Sequence, residues 1–310
     1  MSWLPHPLKT TSANDRMDLS FSDYLKFRKE LVDAALNEAL PGETNYPPVV
    51  FQAVRYSLFA GGKRLRPILC LAAAEAVGSD GHAVLPVACA LEMIHTYSLI
   101  HDDLPAMDDD DIRRGRPTTH KQFGEAMAIL AGDAMVVLAF ELLARHVRDR
   151  RLAGEMVLEL AQRTGWAGMI GGQAADIAGQ SQDPSLDRTR YIHDQKTAAL
   201  FEGACRLGAM VGRGDADGVA ALGRFGRCLG RAFQIADDLL DVTSTAEKLG
   251  KKAGKDVTAG KQTYPGCVGV EQSRRAAGKA CDDAIAELHR FGTNVDDLRE
   301  LARYVVSRSF

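Results

Sequence analysis

Helical periodicity runs through this chain almost without interruption and leaves little from which a sheet could be built. In Val84–Ile100, VLPVACALEMIHTYSLI, apolar residues recur at three- and four-residue intervals on more than one face. That is the pattern of a helix buried nearly all round. Pro86 fits such a helix in its first turn, where a missing N–H removes no hydrogen bond. Gly124–Ala144, GEAMAILAGDAMVVLAFELLA, reads the same way. Alanine is abundant, and strand-like alternation between paired turn signals is hard to find. An all-α fold follows. Turn signals at Pro41-Gly42, Gly61-Gly62, Gly78–Gly81, Asp183-Pro184, Gly212–Gly218 and the lysine-rich Gly250–Gly260 stretch leave about ten helices of ordinary length.

Composition narrows the function. The 310 residues are 46% hydrophobic and 25% charged, enough for a well-buried core, and no linker divides them. The expectation is a loosely packed leader over 1–18 and a single all-helical domain over 19–310. A net charge of −3 gives no global basic field to attract nucleic acid or an anionic membrane, so any polyanion must be bound locally. Six cysteines stand singly, with no CxxC pair, and read as free, buried thiols of a reducing cytoplasm. The N-terminal stretch lacks the apolar core of a signal peptide and no long uncharged apolar run occurs, so a cytoplasmic protein without stable membrane association is expected.

Two acidic clusters carry the chemistry. The second, in LGRAFQIADDLLDV, is the simpler. Asp237 and Asp241 lie about 40° apart on a helix. An isolated DDxxD is most often a solvated face, but Phe233, Ile235, Ala236, Leu239, Leu240 and Val242 leave little room for one here. Carboxylates on so apolar a helix call for a cation, and oxygen-only ligands shared with phosphate and water suit magnesium. The first cluster, LIHDDLPAMDDDDIRRGRPT, packs six aspartates into the ten residues Asp102–Asp111 and adds Arg113, Arg114 and Arg116. On an unbroken helix Asp102 and Asp108 would point to different sides, so an irregular turn near Leu104–Ala106 is predicted, with Pro105 interrupting the backbone hydrogen bonds. Asp109–Asp111 read as partners of the arginines. Guanidinium forks match phosphate oxygens in pairs, so acid beside base fits a metal–diphosphate site.

Further basic residues complete the anion site. GGKRLRP places Lys63 and Arg66 at a helix start, where free amides also favour phosphate. His95 lies two helical turns before Asp102 on nearly the same face. HDQKTAAL supplies Lys196 and Thr197, and GKDVTAGKQTYP supplies Lys255 and Lys261.

Taken in order, GGKRLRP, DDLPAMD, RRGRPT, LAGDA, GGQAADI, DQKTAALF, FQIADDLLD and GKDVTAGKQTYP make the chain resemble the trans-prenyltransferases, or polyprenyl diphosphate synthases, from about Leu25 to the C-terminus. The resemblance is strongest to the bacterial-type farnesyl diphosphate synthases. It implies one large orthogonal helical bundle around a deep central cavity, the isoprenoid synthase fold, with the two aspartate-rich motifs facing each other and three magnesium ions on an allylic diphosphate. The implied metal ligands are Asp102, Asp108 and Asp237, supported by Asp103 and Asp241. Arg113, Lys196 and Lys255 would contact the allylic diphosphate, joined by Thr197 and Gln234. Lys63, Arg66, His95 and Arg114 would hold isopentenyl diphosphate. A homodimer is usual in the family, and the Gly124–Ala144 segment is a candidate for its interface.

The reaction so implied is head-to-tail condensation. Heterolysis of an allylic carbon–oxygen bond gives a resonance-stabilised cation, provided the departing diphosphate is neutralised and water is excluded. Chain length then depends on the pocket beneath the first aspartates, where Tyr97 and Ser98 lie five and four residues before Asp102. A tyrosine floor favours the fifteen-carbon farnesyl product over the geranyl or twenty-carbon geranylgeranyl ones. A terpene cyclase would lack a second anion site, and a non-catalytic subunit would have lost aspartates from one motif; neither condition is met here.

Overall fold

The computed structural model describes residues 20–40, 42, 44–79, 82–180, 182–243 and 261–307. The leader 1–18, the Gly250–Gly260 stretch and Lys255 lie outside these. Among the described residues the regular secondary structure is helical apart from a hairpin of two-residue strands, β1 (Ile112–Arg113) against β2 (Arg116–Pro117), as the periodicity predicts. The described residues gather into two compact units, one within Met1–Leu71 and His82–Arg148, the other within Ala72–Gly81 and Asp149–Phe310.

The first unit contains α1 (Phe21–Ala39), α2 (Pro48–Leu58), the start of α3 (Leu65–Ala76), α4 (Leu85–Asp102), α5 (Thr119–Phe123) and α6 (Glu125–His146). Ser20 caps α1 by accepting from the Asp23 amide, one of the donors a helix start leaves unpaired. Helix α4 is buried on nearly every side, as its sequence predicts, with Pro86 in its first turn. Its main packing partner is α6. There the structure departs from expectation, because α6 buries only one stripe, from Ala128 through Met135 to Leu143. Ile129, Leu130 and Val137 stay 45%, 49% and 68% exposed. A run apolar on all sides says that a helix can be buried all round; how many neighbours it has decides whether it is.

The second unit contains α7 (Arg150–Thr164), α8 (Met169–Gly179), α9 (Leu186–Ile192), α10 (Ala199–Val211), α11 (Ala216–Thr243), α12 (Tyr264–Val268), α13 (Val270–Ala286) and α14 (Asp296–Ser307). Helix α11 is the hub, packed on α10 and α13. Between α9 and α10 the chain continues as a π-helical turn, His193–Ala198, in which the Ala199 amide donates to the Asp194 carbonyl five residues back. Such wide turns recur at functional sites. Here it carries Lys196 and Thr197. The thiols are free as expected, but Cys228 and Cys267 are only half-buried. Burial pushes the Cys89 and Cys205 thiols up, which keeps them protonated and unreactive.

Candidate active site

In the first unit the predicted irregular turn is present. Helix α4 stops at Asp102, and the chain doubles back so that the Asp108 amide donates to the Asp102 carbonyl at 2.8 Å. The Asp110 amide donates to the Asp103 carbonyl at 3.1 Å, and Asp109 takes a left-handed φ of 48°. Asp102 and Asp108, six residues apart, are thereby adjacent through their backbones. Asp103 is buried, and Arg113 grips it through Nε at 2.7 and 2.9 Å from its two oxygens. Burial raises the Asp103 carboxyl above the usual range even though Arg113 pulls it down. Desolvation outweighs the ion pair there.

Just beyond, the carboxylates of Asp109 and Asp111 and a ring nitrogen of His120 lie within 4.8 Å of one another. Asp111 pairs with Lys121 at 2.9 Å rather than with an arginine, while Asp110 faces Arg113 at 3.9 Å. The hairpin that presents Arg113 and Arg114 is held from α2. Tyr56 donates to the Pro117 carbonyl at 2.8 Å and takes the Arg116 guanidinium over its ring at 4.4 Å.

The GGKR segment stands beside these arginines. Arg64, which sequence reasoning passed over, is its anchor: buried, with a φ of 53°, it reaches Asp33 of α1 and Glu92 of α4 at 2.7 Å each and the Leu58 carbonyl at 2.6 Å. Gly62 has a φ of 125°, and a Cβ there would sit 2.8 Å from the Arg114 guanidinium. Only glycine allows both the backbone and the contact. Arg114 also donates to the Gly61 carbonyl. Burial lowers the His95 imidazole well below its ordinary range, with Arg66, Arg114, Arg113 and Arg64 adding positive charge around it. Arg66 and Arg114 thus lie close enough to His95 to bear on its charge, as expected, with one refinement: burial and these arginines favour the neutral imidazole.

Tyr97 is buried on α4, edge-on to His101 at 5.7 Å between ring centres, and its hydroxyl has no partner among the described residues. Ser98 donates back to the His95 carbonyl at 2.8 Å.

In the second unit a cleft of about 80 Å³ is lined by Asp176, Lys196, Thr197, Gln234, Asp238 and Lys261, among others. Lys196, Thr197, Gln234 and Lys261 come together there as the sequence predicts. Lys196 is steadied by Asp176 of α8 at 2.7 Å. Helix α8 can approach because Gly172 has no side chain; a Cβ there would lie 2.1 Å from the Lys196 amide nitrogen. Asp237 and Asp241 lie on α11, Asp237 half-buried and Asp241 buried.

The residues that sequence reasoning missed are Asp176, His193 and Asp238. Asp238 accepts from the Tyr264 amide at 2.7 Å and from Gln234 Nε2 at 3.1 Å, and His193 Nε2 lies 3.1 Å from it. The Gln–Asp spacing of four in QIADD was the available signal. The predicted ligands of both units, Asp102, Asp103 and Asp108 in one and Asp237 and Asp241 in the other, offer oxygen only, and basic side chains lie near each motif. That chemistry fits magnesium and diphosphate.

Similarity to known proteins establishes the family of the chain. The polyprenyl synthetase family model matches residues 47–305. Geranylgeranyl pyrophosphate synthase 11, chloroplastic, from Arabidopsis thaliana is 47% identical over 313 residues, covering 98% of this chain and 86% of that protein. An FPP/GFPP synthase from Zymomonas mobilis, solved without ligand, has a TM-score of 0.82 at 39% identity, covering 92% of this chain and 98% of that one. A geranylgeranyl pyrophosphate synthetase from Pyrococcus horikoshii Ot3 reaches a TM-score of 0.84 at 30% identity, covering 93% and 98%. With its helical fold, its paired aspartate motifs and these matches, the chain belongs to the polyprenyl synthetase family.

Proposed function

We propose that this prenyltransferase condenses isopentenyl diphosphate head-to-tail with an allylic diphosphate and repeats the step to geranylgeranyl diphosphate, releasing diphosphate each time. The observation that carries the reaction class is the turn after α4, which makes Asp102 and Asp108 neighbours beside Arg113 and Arg114. The twenty-carbon product draws its support from the relatives, geranylgeranyl pyrophosphate synthases at 47% identity over nearly the whole chain.

In this reading Asp102, Asp108 and Asp237 hold magnesium, with Asp103 and Asp241 in support. Bound there, the metal would neutralise charge growing on the departing diphosphate. Arg113, Lys196, Lys255 and Lys261 bind the allylic diphosphate. The Asp103 clamp fixes the plane of Arg113, and Asp176 limits the swing of Lys196. Thr197 offers its hydroxyl oxygen to the carbon that becomes electron-poor, and Gln234 holds that hydroxyl through Oε1 at 2.7 Å. Lys63, Arg66 and Arg114 hold isopentenyl diphosphate, with His95 as a neutral partner.

One observation favours a second reading, the fifteen-carbon product. Tyr97, bulky and buried one turn before Asp102, has the size to close a pocket. Chromatography of the dephosphorylated alcohols, after incubation with magnesium, isopentenyl diphosphate and dimethylallyl or geranyl diphosphate, decides between them. Geranylgeraniol is the expected product. Farnesol that lengthens on Tyr97→Ala would give the second reading. We further propose that the chain forms a homodimer through the exposed apolar stripe of α6, which includes Ile129, Leu130 and Val137.

A further inference from the structure

Asp238 stands between the two α11 aspartates assigned to metal, yet its contacts lead elsewhere. It is 4% exposed. Its Oδ2 accepts from the Tyr264 amide at 2.7 Å and lies 3.1 Å from His193 Nε2. Its Oδ1 faces Gln234 Nε2 at 3.1 Å. A carboxylate can only accept hydrogen bonds, so Gln234 must turn its NH2 toward Asp238 and its Oε1 the other way. Oε1 lies 2.7 Å from Thr197 Oγ1. The hydroxyl must therefore donate its single proton to Gln234. The direction of every bond in this chain follows from the one group that cannot donate.

We propose that Asp238 is a positioning residue that sets the hydrogen-bond polarity of Gln234 and Thr197, an inference that rests on the functional reading above. A Thr197 hydroxyl whose proton is committed to Gln234 offers the cleft only lone pairs. It presents the negative end of its dipole to an electron-poor carbon. Were the amide reversed, its NH2 would donate to Thr197, and the hydroxyl proton would turn into the cleft. His193, the first residue of the π-helical turn, steadies the same carboxylate from the segment that carries Thr197.

Asp238→Asn tests this by placing an NH2 against the Gln234 NH2, which forces the Gln234 amide to flip. The first readout is the side-chain amide signal of Gln234 in the ¹⁵N-labelled full chain, assigned by its loss in Gln234→Glu. It should shift in Asp238→Asn, with melting within a few degrees of wild type. The second is kinetic: kcat should fall on the order of 10- to 100-fold, while KM for isopentenyl diphosphate and the half-saturating magnesium concentration change by less than about threefold. In the double variant D238N/Q234E the new carboxylate accepts from both neighbours, restores the Thr197 direction and should recover part of kcat. If Asp238→Asn does not fold, His193→Asn gives the same split at smaller size.

An unmoved Gln234 signal would overturn the inference. So would a variant whose only defect is a tenfold higher magnesium requirement, because Asp238 would then be a metal ligand. A wild-type chain without prenyl transfer would sink the functional reading instead, and the amide signal would still decide the polarity.

Discussion

Arg64 shows how a side chain outside the chemistry holds the chemistry in place. With its side chain 1% exposed, it is matched to Asp33, Glu92 and the Leu58 carbonyl, and these contacts fix the segment that presents Lys63 and Arg66. Its replacement by methionine leaves Glu92 charged and buried without its partner. A loss of about 3–5 kcal/mol in urea unfolding is expected. His95 gives a prediction of pH dependence. Burial, reinforced by surrounding arginines, lowers its folded pKa well below the ordinary value of about 6.5. Below about pH 6.5 the unfolded chain takes up a proton that the folded chain refuses, so this site makes stability fall as pH drops from 6.5 toward the folded value. Above 6.5 it contributes no slope. Unfolding measured across pH 5–8 should show the slope flattened in His95→Gln, and KM for isopentenyl diphosphate should not vary between pH 7 and 8 through this group.

At the scale of the element, the sequence was most legible where one rule acted alone. Pro105 after a helical run was enough to place the turn that joins Asp102 to Asp108, because a missing amide and a restricted preceding residue leave few alternatives. The π-helical turn was not legible. HDQKTAALFEGA keeps a helical pattern throughout, and one extra residue per turn leaves no compositional mark. The role of Asp238 as a buried acceptor was not legible either, because its partners His193 and Tyr264 lie on elements distant in sequence. The contact of α8 with the π-helical turn supplies a test at this scale. A methyl group at position 172 would meet backbone rather than a movable side chain. Gly172→Ala should therefore cost about 1–3 kcal/mol or more by thermal unfolding and lower kcat, since Lys196 and Thr197 must shift with their segment.

For the whole molecule, the helical class followed from periodicity, while the boundary at Arg148–Asp149 between compact units left no signal in linker composition. The burial of α6 was overestimated for a related reason. Its apolar faces satisfy the pattern of a core helix, yet Val137 is 68% exposed. If that stripe joins two copies, Val137→Glu should shift the mass measured by light scattering from dimer to monomer, and a wild-type chain that is already monomeric would remove the dimer from the account. We propose that both aspartate motifs serve magnesium-dependent prenyl transfer. Its most direct measurement is diphosphate release and product chromatography with magnesium, isopentenyl diphosphate and dimethylallyl diphosphate, run on wild type, Asp102→Asn and Asp237→Asn. Wild type should yield a prenyl alcohol of twenty carbons, with activity lost at least roughly a hundredfold in each variant; no diphosphate release from wild type, or full activity in either variant, would rule this out.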